Sequence, residues 1–314
     1  MYSLYSGTTV HFNQIALGRW VVAGLLLVLG ALGSPVHAQE PDTSQGPVYR
    51  VETADGQVLR GTLVSETDEE VVLDARQLGE VTIQRANIER LEKLDPDRFR
   101  DGEYWFRNPQ STRYLFAPNA IGIPKREGYY QNTWIFFNNV NYGVSQNFSV
   151  GGGTVPVFLF GAEALPFWFL PKLSISTPQD NLHLAVGGVF GGVLGGDDGG
   201  GAGLVYGSAT VGSRDHNATV GLGYGYAGDG FADRPAINIS GMTRVGRTIY
   251  LITENYFFPG VEFFPGVEDA NLISFGVRWA PENFAVDFAL VRPLSDTDGF
   301  IGLPWLGVTI PFGQ

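Results

Sequence analysis

The segment Asn271–Arg292 limits the fold more than any other. Ile273, Phe275, Val277 and Trp279 alternate with Leu272, Ser274, Gly276 and Arg278. Pro281-Glu282-Asn283 makes a turn, and Phe284, Val286, Phe288 and Leu290 then alternate with Ala285, Asp287, Ala289 and Val291. Strict alternation on both arms of a tight turn predicts a β-hairpin with one apolar face. A soluble sandwich would pack that face on a second sheet. A transmembrane barrel would turn it toward lipid and keep the small polar face for its lumen. Pairing Trp279 with Phe284 sets Asp287 opposite Gly276 and diagonal to Arg278, within reach of a long side chain.

The rest of the chain repeats this unit. Twelve strands are expected, at about 112–118, 129–144, 147–155, 168–177, 181–192, 202–213, 217–227, 236–245, 248–258, 271–279, 283–292 and 303–312. Most approach the ~9–11 residues that a tilted strand needs to cross a bilayer. The even connections are short: Ser145-Gln146, Pro178–Asp180, Arg214–His216, Gly246-Arg247 and Pro281-Glu282. The odd ones are long, beginning with Asn119–Gly128 and ending with Pro293–Gly302. Aromatic residues gather at strand ends: Tyr129, Tyr130, Phe167–Phe169, Tyr224, Tyr226, Phe257 and Phe258 at the long-loop ends, and Tyr142, Trp279 and Phe312 at the others. An even strand number, alternating loop lengths and two aromatic girdles resemble the outer-membrane β-barrel proteins of Gram-negative bacteria. The last strand resembles their aromatic-ended terminal strand, with Gly313-Gln314 added after Phe312.

Ahead of the barrel, Trp20–Leu32 is a short apolar run after Arg19, followed by Val36-His37-Ala38. This pattern reads as a secretory signal peptide over 1–38, cleaved before Gln39. The chain has no cysteine, which leaves neither disulfides nor thiolate metal sites. After a linker at 39–46, the segment 47–94 holds five short runs: Val48–Thr53, Gln57–Ser65, Glu70–Ala75, Glu80–Gln84 and Ile88–Lys93. Val58, Leu63, Val71, Leu73, Val81, Ile83, Ile88 and Leu91 supply a small core, and Gly61 marks a bend. Five strands in this space resemble an SH3-like or Sm-like small barrel. Sm-like proteins often bind RNA, but Gln39–Glu103 carries 16 acidic against 8 basic residues, which argues against nucleic acid. A periplasmic contact or plug module is the better reading, a periplasmic protein being the partner expected through 47–94. A second linker at 95–111 then leads to a barrel domain at 112–314. The fold class is therefore all-β: an antiparallel transmembrane barrel of about twelve strands, preceded by a small SH3-like domain.

Candidate lumen-lining residues are Lys172, Ser176, His183, Arg244, Ser274, Arg278 and Asp287. Arg113 and Glu254 join them if their less regular strands are in phase. Arg278 and Asp287 read as an internal ion pair, or as a constriction that selects solutes by charge. Twelve-stranded outer-membrane phospholipases use Ser and His, and pairing Thr177 with Leu182 would bring Ser176 against His183. No orienting acid is evident, so a lumen hydrogen bond is the preferred reading and catalysis is not expected. Gly195–Gly201 lacks the acidic spacing of a calcium loop, and no metal or cofactor is expected. By resemblance, several twelve-stranded barrels are narrow, substrate-selective channels. The leading expectation is a narrow passive channel for small solutes in the cell outer membrane, in contact with its lipid, with the N-terminal domain and the C-terminus periplasmic. The alternative is a structural or tethering protein with a closed lumen and a partner-binding periplasmic domain. A lipid hydrolase is the distant third. Mass spectrometry of the exported protein should find Gln39 at the mature N terminus; retention of residues 1–38 would remove the export reading.

Overall fold

The computed structural model describes residues 46–75, 78–100, 102–156, 158, 164–195, 201–228, 230–260, 271–294 and 300–313. The expected signal segment 1–38, all but the last residue of the linker 39–46 and most of the glycine-rich loop after Gly195 lie outside them. The chain divides into two compact units, the sequence boundary falling between Phe106 and Arg107.

The first unit contains a five-stranded antiparallel sheet. Its strands are β1 (Val48–Thr53), β2 (Val58–Glu66), β3 (Glu70–Ala75), β4 (Gly79–Gln84) and β5 (Ile88–Lys93), in the order β4-β3-β2-β1-β5. A 3-10 turn at Arg85–Asn87 carries the chain into β5, which returns to pair with β1. Val51, Val71, Leu73 and Ile83 form the buried centre. Val58, expected in this core, is exposed, because it pairs with Glu52 on the opposite face while Leu59 pairs with the buried Val51. A Cβ on Gly61 would stand 2.5 Å from the carbonyl oxygen of Asp74, so β2 and β3 can approach only with glycine there. The expected linker after Leu94 carries local structure of its own. Asp95 caps the 3-10 turn Pro96–Arg98, accepting from the Asp97 N–H at 3.1 Å. The two-residue strands β6 (Phe99–Arg100) and β7 (Glu103–Tyr104) then pair.

The second unit is a closed antiparallel barrel. Its first strands are β8 (Gly128–Thr133), β9 (Phe137–Gly143) and β10 (Phe148–Thr154). The fourth is interrupted at Leu170-Pro171 into β11 (Leu165–Phe169) and β12 (Lys172–Ile175), since proline has no N–H to give the ladder. Then come β13 (Leu182–Leu194), β14 (Ala202–Gly212) and β15 (His216–Ala227). A two-residue spur, β16 (Gly230–Phe231), pairs with β15. The circuit continues with β17 (Ala236–Arg244), β18 (Ile249–Phe257), β19 (Leu272–Trp279), β20 (Ala285–Pro293) and β21 (Leu303–Phe312). β21 pairs with β8, which closes a ring of twelve strands once β11 and β12 are taken as one.

The strand number agrees with expectation, but two of the expected strands are different objects. Residues 112–118 are not in the wall. Between Arg107 and Glu127 the chain crosses the inside of the barrel, buried over most of Asn108–Ile123, where an isolated bridge from Arg113 to Pro118 folds it into a narrow hairpin. The expected strand at 129–144 is two strands, β8 and β9, joined at Trp134–Phe136. That turn carries no Gly, Pro or Asp. Trp134 and Ile135 take positive φ of 51° and 69°, and the Asn132 amide holds the Ile135 carbonyl at 2.9 Å. The aromatic ends are revised accordingly. Tyr129 and Tyr130 lie at the short-turn end beside Pro311 and Ile310, while Trp168 keeps its place at the long-loop end with its ring lining the lumen.

Polarity is inverted relative to a soluble domain. The outward face exposes Leu173, Val186, Val205, Val220, Leu222, Phe275, Phe288, Leu306 and Ile310. The inward face buries Gln131, Asn139, Lys172, Thr219, Ser240, Glu254, Arg278 and Asp287. A large exposed apolar belt around a polar interior fits a barrel whose solvent is lipid. Phe275 and Phe288 are 58% and 54% exposed on this belt. Phe275→Arg or Phe288→Arg should lower stability by about 2–4 kcal/mol if the site lies at the bilayer midplane, and Phe275→Leu by far less. Denaturant titration of the heat-modifiable band on unheated gels measures both. Equal tolerance of Arg and Leu would contradict the lipid-facing assignment.

Candidate functional site: a plugged lumen

The inner hairpin has no strand partner, so its backbone polar groups must find side chains of the wall. The wall supplies them by sign. Arg278 on β19 is paired directly with Asp287 on β20. The expected register was two residues different, with Asp287 opposite Gly276. A longer turn, Ala280–Phe284, moves the pairing, and a shift of two preserves which face each side chain occupies. The two groups form a bidentate pair, with Nε to Oδ1 at 2.6 Å and Nη2 to Oδ2 at 2.9 Å, and both side chains are almost fully buried. The remaining guanidinium donors reach the plug: Nη1 to the Gln110 carbonyl and Nη2 to the Tyr114 carbonyl, both at 2.7 Å.

Glu254 on β18 holds the opposite polarity. Its carboxylate accepts the N–H groups of Leu115, Phe116 and Ala117 at 2.8, 3.0 and 3.0 Å, and the Tyr256 hydroxyl at 2.8 Å. Ser274 on β19 braces this residue, accepting from the Glu254 N–H at 2.9 Å and donating to its carbonyl at 2.6 Å. Lys172 on β12 donates to the carbonyls of Asn119 and Ile121 at 3.0 and 2.8 Å. Thr210 accepts the Ala120 N–H at 2.8 Å, and Gln131 donates to the Leu115 carbonyl at 3.0 Å. Tyr114 donates its hydroxyl to Asn217 at 2.6 Å, and burial pushes its phenol well above the usual tyrosine range, which keeps it a donor.

Three of the anticipated residues stand apart from the plug. Arg244 sits at the short-turn end, 3.2 Å from Asp215 and against the Tyr250 ring. Ser176 and His183 border a recess of about 650 Å³ at the same end, together with Ser174, Asp180, Arg214 and the plug residue Ala120. Ser176 accepts from the Asn147 amide at 3.3 Å, and among the described residues it makes no hydrogen bond to His183. No group of three His, Asp or Glu among the described residues could hold a metal.

A second recess, of about 290 Å³, opens toward the long-loop end. Phe116 at the plug tip, Trp134, Phe137, Trp168 and Trp305 line it, with Gln131 at its base. Trp134 stacks obliquely on Trp305 with centroids 5.0 Å apart, and its Nε1 donates to the Pro304 carbonyl at 2.7 Å. The positive φ of Trp134 aims this ring, a strained conformation of the kind that collects at functional positions. The plug therefore separates a polar recess from an aromatic one.

Glu254, Gln131, Thr210, Asn217 and Arg214 hold the plug but were not in the expected site, apart from the provisional place given to Glu254. Their strands gave little signal. Tyr250 and Ile252 point inward with Glu254, so β18 shows no clean polar face. They are apolar because Tyr114, Leu115 and Ala117 of the plug pack on them, with Met242, Ala285 and Ala289.

No protein-family model matches the sequence, and no curated protein matches it either. The class is defined by the architecture: a closed twelve-stranded antiparallel β-barrel with an outward apolar belt, which fits an outer-membrane barrel protein. Within that class the chain is distinguished by its charged internal plug and the small five-stranded sheet that precedes it. Asp287→Ala leaves the Arg278 charge buried without its counter-ion and should lower stability by about 3–5 kcal/mol. The urea midpoint of the heat-modifiable band tests this, and a loss below that of an ordinary surface substitution would show that the pair is not buried in the folded barrel.

Proposed function

We propose that the protein is an outer-membrane β-barrel with a narrow passage for small solutes, closed at rest by residues 107–127. One observation carries this reading. The plug is tethered to the wall by its own backbone, through Arg278, Glu254 and Lys172, while a recess lies on each side of it. A segment held by side chains rather than by strand ladders can be released without unpairing the barrel. The apolar belt and the leader sequence support export and residence in the outer membrane, with the small domain and the C-terminus in the periplasm. Solutes would meet the aromatic recess first and leave through the polar one.

The second reading is a closed structural or tethering protein that binds a periplasmic partner through residues 47–94. The dense matching of plug carbonyls and amides favours it, since a fully satisfied polar network is rigid. Catalysis by Ser176 and His183 has no supporting contact.

Conductance separates the two readings. In planar bilayers the wild-type protein should be mostly silent. Glu254→Ala with Lys172→Ala removes partners of five plug backbone groups and should give discrete current steps. The chain has no cysteine, so an added Ala120→Cys, Thr210→Cys pair introduces the only disulfide. Oxidation should silence the loosened variant and reduction should restore it. A heat-modifiable double variant that stays silent would favour the closed structural protein.

A further inference from the structure

We infer that the barrel holds one small monovalent anion of halide size between the plug and the wall. A small cavity of about 20 Å³ lies there, beside Thr112, Arg113, Asn141, Lys172 and Tyr206. That is room for a single water-sized occupant. Its polar lining joins the donors of Arg113, Lys172 and Asn141 to the hydroxyl residues Thr112, Ser149, Tyr129 and Tyr206. The side chains of Thr112, Arg113 and Asn141 are each more than nine-tenths buried. Among them Arg113 Nε, Asn141 Nδ2 and Thr112 Oγ1 have no protein partner. Asn141 Oδ1 accepts from Arg113 Nη2 at 3.4 Å, which leaves Nδ2 as the unpaired atom of that amide. No Asp or Glu borders the space.

Charge makes the same demand. Arg113, Lys172 and Arg278 are buried in and around the plug, against Glu254 and Asp287. Asp287 is consumed by Arg278, and Glu254 by the plug amides. Lys172 spends its donors on neutral carbonyls, and Arg113 makes no ion pair among the described residues. The Arg113 guanidinium therefore has no carboxylate against it, and a buried cation is costly without a counter-ion. A neutral water would satisfy some donors but not the charge. A halide does both: it accepts from Arg113 Nε, Asn141 Nδ2 and the Thr112 hydroxyl at once, and it needs no donor of its own. Polyatomic anions such as sulfate exceed the space.

The full-length protein in detergent tests this. Its urea midpoint is measured in sodium chloride, sodium bromide and sodium gluconate at matched ionic strength, and chloride binding is read directly from quadrupolar line broadening. A ligand that binds only the folded state raises stability by mass action. The midpoint should therefore rise saturably with chloride or bromide and not with gluconate, and bromide should narrow the chloride line by competition. Arg113→Gln should abolish the halide dependence. If that variant does not fold, Asn141→Leu, which keeps the arginine and removes one donor, should bind chloride about tenfold more weakly. Equal midpoints in chloride and gluconate, or an unchanged chloride affinity in Asn141→Leu, would overturn the assignment and leave water as the occupant.

Discussion

The structure depends on one demand: a stretch of backbone inside the barrel, with no strand to pair with, has to satisfy its carbonyls and amides on side chains. The wall meets it by placing cations where carbonyls arrive and a carboxylate where amides arrive. Arg278 takes the carbonyls of Gln110 and Tyr114, and Glu254 takes three successive amides at the tip. Such charge-assisted bonds are stronger than neutral ones, and they are directional. They fix the register of the hairpin along the barrel axis, a job that a ladder performs elsewhere. Asp287 matters in this scheme because it holds the Arg278 guanidinium in the plane that presents its other donors inward.

Apolar packing completes the arrangement. Tyr114, Leu115 and Ala117 meet Met242, Tyr250, Ile252, Ala285 and Ala289 in a core that sits inside the barrel. A membrane barrel normally keeps its apolar surface for the outside. Here part of the inner wall is apolar as well, through Met242 of β17, Tyr250 and Ile252 of β18 and the alanines of β20. Small residues on β19 and β20 make the room: a Cβ on Gly276 would stand 2.5 Å from the Cβ of Ala289. The hydrophobic contact is non-directional and supplies burial, while the charged contacts supply position.

This explains which parts were legible in the sequence. Where the lumen face is small or polar, as in Leu272–Trp279 and Ala285–Pro293, the period-two pattern is clean and the inward residues Ser274, Arg278 and Asp287 follow from it. Where the plug packs, the inward face becomes apolar, the alternation fades, and Glu254 stays ambiguous beside Tyr250 and Ile252. The plug itself reads as a strand. Thr112 to Pro118 has the aromatic and β-branched content of one, and nothing local says that its partners are side chains more than a hundred residues away, such as Asn217 and Glu254. The turn at Trp134–Phe136 was invisible for a different reason: it takes left-handed backbone at bulky residues, and turn recognition relies on glycine or asparagine there. The two errors compensated, since one false strand and one missed turn leave the number at twelve. Agreement in strand count was therefore weaker evidence than agreement in the lengths and phases of β10, β13–β15, β17 and β19–β21.

The choice of charge over grease at the plug has a consequence for how the lumen can change state. Replacing buried ion pairs by apolar residues often leaves a protein as stable or more so, so polar networks are poor evidence of stability for its own sake. What they add is a defined alternative. A plug bound only by apolar contacts could slide by small steps, each with similar contact area. One bound through backbone groups to Arg278, Glu254 and Lys172 has discrete partners, and intermediate positions would leave buried charges unmet. Under the proposed gate the plug then has two states: seated, or released with these side chains returned to water. The wall ladders from β8 to β21 do not pass through the plug, so the barrel can stay paired in either state. That separation of closure from scaffold is the physical ground for treating residues 107–127 as a gate rather than as one more strand of the wall.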